Sequence, residues 1–85
     1  MPYIKENRDT LTNHAMASVG SIATVGELNF FITRVIQSYM DIHQISNYEG
    51  YNSMIGVLEC VKSEFYRRAV AEYENQKCKE NGDVF

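Results

Sequence analysis

The stretch Thr24–Tyr39, TVGELNFFITRVIQSY, decides the fold. Leu28, Phe31, Ile32, Val35, Ile36 and Tyr39 recur at three- and four-residue spacing, which gathers them on one side of a helical wheel. Asn29, Thr33 and Gln37 take the other side. Thr24 followed by Glu27 is a capping-box pattern, in which the hydroxyl accepts from the Glu27 amide and the carboxylate reaches back to the helix start. The spacing predicts a helix over 25–40. Phe30 points about 160° from the stripe. A monomer would leave it in water, and an oligomer contact would cover it.

On the N-terminal side, Leu11, Ala15, Val19 and Ile22 form a thinner stripe. It predicts a helix over 5–23 that frays or breaks near Gly20, behind a short arm from Met1 to Ile4. On the C-terminal side, the polar run Asp41 to Gly50 reads as a connection, long enough to carry function or to pack by its own Ile42, Ile45 and Tyr48. Beyond it, Tyr51, Met54, Leu58, Val61, Phe65, Ala69 and Tyr73 keep the helical spacing. They predict a helix over 51–80, roughly 40 Å long. Asn81-Gly82 is its stop, with Gly82 in the left-handed position, Lys77 and Lys79 suit its C-terminal end, and 81–85 is a tail. The expected architecture is all-α: two shorter helices packed on one long C-terminal helix, in a single helical domain over 1–85.

Size adds the argument for assembly. The chain has 85 residues, 45% of them hydrophobic. A chain of that length buries only about 60–65% of its unfolded surface, so a monomer is marginal unless disulfides, a metal or a partner helps it. Cys60 and Cys78 alone make no disulfide scaffold. Those cysteines with His14 and His43 lack the paired spacing of a zinc site, so no metal is expected. Self-assembly remains, as a homo-oligomeric helical bundle with Phe30, Met54, Leu58, Phe65 and Tyr73 as interface residues.

The balance of 8 basic against 11 acidic residues disfavours duplex DNA as a partner. Apolar runs are too short for a membrane span, and the N-terminus lacks a signal pattern, so the expectation is a soluble, intracellular protein with reduced thiols. No residue pattern announces catalysis. His14 and His43 sit in no nucleophile–base motif, there is no HExxH, and no glycine-rich loop matches a nucleotide fingerprint. The expectation is a protein that is not an enzyme and needs no cofactor. The residues left to bind a ligand are Arg34, Lys62, Arg67 and Arg68, which suit phosphate, and Tyr48, Tyr51 and Tyr66, which suit a base or ribose. The plainer reading of the same residues is that Lys62 snorkels past the core and Arg67 pairs with Glu64.

Four runs add a resemblance: GELNFFIT (Gly26 to Thr33), GVLE (Gly56 to Glu59), EFYRR (Glu64 to Arg68) and NGDVF (Asn81 to Phe85). They resemble a family of short helical proteins of phages and bacteria, with the pattern GxLNYxIT and, near the end, EFYRRxVxPYEDxKxxxNGDVY. The resemblance covers about 75 residues. This chain has Glu72 where that pattern has Pro, which implies a straighter long helix, and Asn75 and Phe85 where it has an acidic residue and a tyrosine. The resemblance implies a phage or prophage origin and hence a host-cytoplasmic setting. By analogy of size, class and origin it points to the immune-evasion sponges that trap cyclic nucleotide signals of CBASS-type or Thoeris-type defence. The leading expectation is therefore a homo-oligomer that sequesters a cyclic nucleotide in intersubunit pockets. The rival is a protein–protein module that inhibits a host enzyme through Glu59, Glu72, Glu74 and Glu80; a small virion or assembly component is a third reading.

Overall fold

The computed structural model describes residues 2–85, so Met1 of the expected arm lies outside the described residues. The chain is all-helical, in three helical stretches, with no strand among the described residues. They are α1 (Arg8–Val19), α2 (Val25–Ile42) and a third stretch made of α3 (Tyr48–Phe65), a π turn (Tyr66–Val70) and α4 (Ala71–Asn81). The chain divides into two compact units, Tyr3–Met54 and Ile55–Phe85, the second also taking in Pro2.

In the first unit, α1 is shorter than the sequence suggests. Asn7 has φ 63°, outside the helical region, so the helix opens at Arg8, with the Leu11 amide bonded to the Asn7 carbonyl at 3.0 Å. It closes at Val19. The amide and hydroxyl of Ser21 both donate to the Ser18 carbonyl, at 3.1 and 3.0 Å, so the chain turns at Gly20, where the sequence predicted a break.

The α2 capping box forms. The Glu27 amide donates to Thr24 Oγ1 at 3.1 Å, and Glu27 Oε1 accepts from the Ala23 amide, one residue before the cap, at 2.8 Å. The helix runs to Ile42, past the expected Tyr39–Met40 end. It stops in a Schellman arrangement around Gln44, whose φ is 55°. The Gln44 amide reaches the Asp41 carbonyl at 3.3 Å, and the Ile45 amide reaches that of Met40 at 2.8 Å. The expected ten-residue connection therefore shrinks to residues 43–47. Asn47 caps α3 through its side chain, with Oδ1 accepting from the Gly50 amide at 2.8 Å, so the helix starts at Tyr48 and not at Tyr51. Gly50 has no side chain because the Ile45 methyl occupies the place of a Cβ.

Met54 is buried in this unit, and Ala15, Ile22, Phe31, Ile36, Met40 and Ile45 are half-buried. On the α2 wheel, Phe31 lies at one edge of the apolar stripe, and Ile36 and Met40 at the other. The middle of the stripe, Leu28, Ile32, Val35 and Tyr39, is exposed, as is Ile42 beyond it. These five stand at spacings of four and three residues, the pattern of a coiled-coil seam.

The second unit is a helix throughout and then a short tail. At Tyr66–Val70 the backbone widens, and the Ala71 amide donates to the Tyr66 carbonyl five residues back. The absence of proline at Glu72 thus gives no uniformly regular helix. Gly82 follows α4 with φ 89° and ψ 154°. That is positive φ as expected, but in the extended region that only glycine favours and not in the left-handed helical one. The Asp83 carboxylate accepts from the Phe85 amide at 3.0 Å and bends the tail.

Candidate functional site

The ligand-binding candidates fall on both units. On the first, Arg34 Nη1 donates to Gln37 Oε1 at 3.1 Å, one turn along α2. Tyr48 and Tyr51, in the first turn of α3, are exposed. His43, at the end of α2, has its ring 4.4 Å from that of Tyr39.

On the second unit, Lys62, Tyr66, Arg67 and Arg68 lie at or just before the π turn. Lys62 Nζ is 3.1 Å from Glu59, a pair open to solvent on both sides. Lys62 therefore holds a carboxylate on its own helix and does not only lie along the apolar stripe. Arg67 forms a fork on Glu64, Nη2 to Oε1 at 2.7 Å and Nε to Oε2 at 3.4 Å, as the plainer reading of the sequence held. Arg68 is exposed and makes no hydrogen bond or ion pair among the described residues. Two residues apart in a helix, Tyr66 and Arg68 point to opposite sides of the axis. The π turn does not bring them to one site.

It does join Tyr66 to Glu74. The Tyr66 hydroxyl donates to the Glu74 carboxylate, at 3.1 Å to one oxygen and 3.3 Å to the other. Residues eight apart in a regular α-helix are rotated by about 80°. The wider π turn takes up one residue and reduces that to about 20°, so the two side chains lie one above the other. The hydrogen bond to Glu74, followed by the charge of the same carboxylate and by desolvation, raises the Tyr66 phenol above its ordinary value of 10.0. The sequence signal for this contact is the eight-residue interval itself, which a strict 3.6-residue wheel separates.

The interface candidates divide cleanly. Phe30, Leu58, Phe65 and Tyr73 are exposed, whereas Met54 is covered within its own chain and is no surface contact. A groove of about 510 Å³ that sequence reasoning missed lies between α4 and the tail, lined by Glu74, Asn75, Lys77, Cys78, Asp83 and Phe85, among others. Gly82, at φ 89°, and the Asp83 turn set the path of residues 82–85 beside it, which a reading of 81–85 as a plain tail does not reveal. Cys60 and Cys78 are exposed free thiols. Among the described residues no three His, Cys, Asp or Glu side chains cluster to hold a metal, and no helix is long and apolar enough to cross a membrane.

Comparisons with curated proteins and with solved structures found no match. A protein-family model does match, over residues 1–84, nearly the whole chain. The chain with this capped α2, this π turn and this tail belongs to the family described as Domain of unknown function (DUF6899).

Proposed function

We propose that the chain is a non-enzymatic, self-assembling helical protein that sequesters a nucleotide signal, a cyclic nucleotide by class, in pockets formed where copies meet. The observation that carries the assembly is the exposed middle of the α2 stripe. Leu28 is 41% exposed, Ile32 44%, Val35 51% and Tyr39 49%, while the stripe's edges are half covered.

Support for the ligand is chemical. Arg68 offers an open guanidinium, and Tyr48 and Tyr51 offer exposed rings. Lys62, Arg67 and Arg34 are engaged, but surface pairs of this kind are worth only about 0–1 kcal/mol, so a phosphate can displace Glu59, Glu64 or Gln37. A phage origin and a role against nucleotide-signalling defence belong to the same proposal.

The engaged cations also favour a second reading. With Lys62 and Arg67 already paired to Glu59 and Glu64, Glu72 and Glu74 leave the start of α4 acidic on both sides of its axis, a charge that suits a protein partner such as a host enzyme. Native mass spectrometry with cyclic di- and trinucleotides and cyclic ADP-ribose isomers separates the two. The proposal expects a discrete oligomer with a fixed number of bound nucleotides, and loss of the nucleotide but not the oligomer in Arg68→Ala. An oligomer that binds none of them rejects the ligand and leaves the protein-partner reading. A monomer rejects the assembly.

A further inference from the structure

The second unit carries an apolar line of its own, and the π turn straightens it. Ile55, Leu58, Phe65 and Tyr73 are exposed, Phe65 and Tyr73 by more than 60%. Leu58 and Phe65 are seven residues apart and Phe65 and Tyr73 eight; Lys62 and Val70 are eight apart, and Val70 and Lys77 seven. Both eight-residue intervals span the π turn. A regular helix would swing Tyr73 about 80° away from Phe65. The extra residue taken up by the π turn restores the line, as a one-residue skip does in a heptad pattern. The result is a single seam over 55–77: Ile55, Leu58, Lys62, Phe65, Val70, Tyr73 and Lys77.

We infer that this seam docks the same seam of a second copy, antiparallel, with the two-fold axis at the π turn. Charge sets the direction. A parallel, in-register pair would place Lys62 and Lys77 each against its own copy, two like-charge layers in an apolar seam. Antiparallel, Phe65 meets the partner's Val70, Lys62 meets the partner's Tyr73, and Leu58 meets the partner's Lys77. Each lysine then lies beside an acid of the other chain: Lys62 by the partner's Glu74, and Lys77 by the partner's Glu59. The spacing is symmetric to the residue, because Lys62 and Leu58 precede Phe65 by the same three and seven positions by which Tyr73 and Lys77 follow Val70.

This inference rests on the assembly reading and adds a second contact to the α2 seam. With the α2 seam a two-fold contact on an axis of its own, the two contacts close only in dihedral assemblies, the smallest of them with about four chains.

The experiment uses the full chain with both native thiols replaced by serine. A Lys62→Cys chain and a Tyr73→Cys chain are oxidised separately and mixed, and masses are read by sedimentation for the wild type, Phe65→Glu and Val35→Glu. A disulfide dimer forming only in the mixture, with Phe65→Glu halving the wild-type mass at unchanged helicity, is the expected result. A disulfide in Lys62→Cys alone overturns the antiparallel direction. If Phe65→Glu keeps the wild-type mass while Val35→Glu halves it, the seam is wrong and the assembly reading stands. A monomeric wild type overturns both.

Discussion

Gln44 carries the one strained backbone angle in the middle of the chain, and the strain has a clear source. A non-glycine residue at φ 55° brings its Cβ close to the following carbonyl, at a cost of roughly 1 kcal/mol or more. The Schellman bonds of Gln44 and Ile45 hold it there, and both need only backbone atoms. Gln44→Gly keeps those bonds and relieves the strain. It is expected to raise stability by about 0.5–1 kcal/mol, read as a rise of several degrees in thermal midpoint for a chain of this size. Tyr66 gives a pH prediction. Its phenol is raised because the neutral hydroxyl donates to Glu74 and the phenolate would face that carboxylate. The folded chain therefore holds the proton more tightly than the unfolded one. The stabilisation is complete below pH 10 and is lost as pH rises through the higher folded value. Glu74→Gln removes the charge and moves the ionisation back toward 10. The test is the phenolate absorbance of wild type minus Tyr66→Phe, compared with the same difference in the Glu74→Gln background; identical titrations would refute the contact.

At the scale of the element, α2 shows what a sequence makes legible. Its cap, its stripe and its first residue follow from Thr24, Glu27 and the three-to-four spacing, and the hydrogen bonds of Thr24 and Glu27 form as the pattern requires. Thr24→Ala removes the acceptor for the Glu27 amide and is expected to cost about 1 kcal/mol by chemical denaturation, with little change in slope. Other boundaries were harder to read because backbone set them. Asn7 and Gln44 adopt positive φ with no glycine to announce it. Asn47, a good cap with Gly50 three residues on, is hidden inside a polar run that looks like loop. The π turn was invisible for a similar reason: a wheel of fixed step assigns every residue one angle, so a change in step shows only as an eight-residue interval. Of the candidate site, the residue types and the Arg67–Glu64 pair were legible. The pairing of Lys62 with Glu59, the Tyr66–Glu74 contact and the C-terminal groove depended on side-chain and tail geometry that spacing does not encode.

For the whole molecule the deciding quantity is surface. A lone chain that buries Met54 and half-buries a few neighbours removes little apolar area from water. At roughly 25 cal/mol per Å², such a chain gains little against the entropy of ordering its backbone, about 1–2 kcal/mol per residue. If assembly supplies the difference, stability follows mass action. Diluting the protein a hundredfold is expected to lower the thermal midpoint by several degrees and to leave Val35→Glu, already weakened at the α2 seam, much less sensitive. A midpoint independent of concentration would show that the chain is stable alone. Salt adds a separate check, because the α2 seam has no charged member, and its contribution is expected to hold at high ionic strength, where surface pairs such as Lys77–Glu80 fade.

The π turn also has a meaning in the reading frame. Removing one codon from a regular stretch of the long helix rotates everything downstream by about 100°, which scatters its faces. Removing the codon of Arg67, Arg68 or Ala69 turns the wide turn into an ordinary one and leaves Phe65 above Tyr73 and Tyr66 above Glu74. That short window is where the gene of this long helix tolerates the loss of a single amino acid.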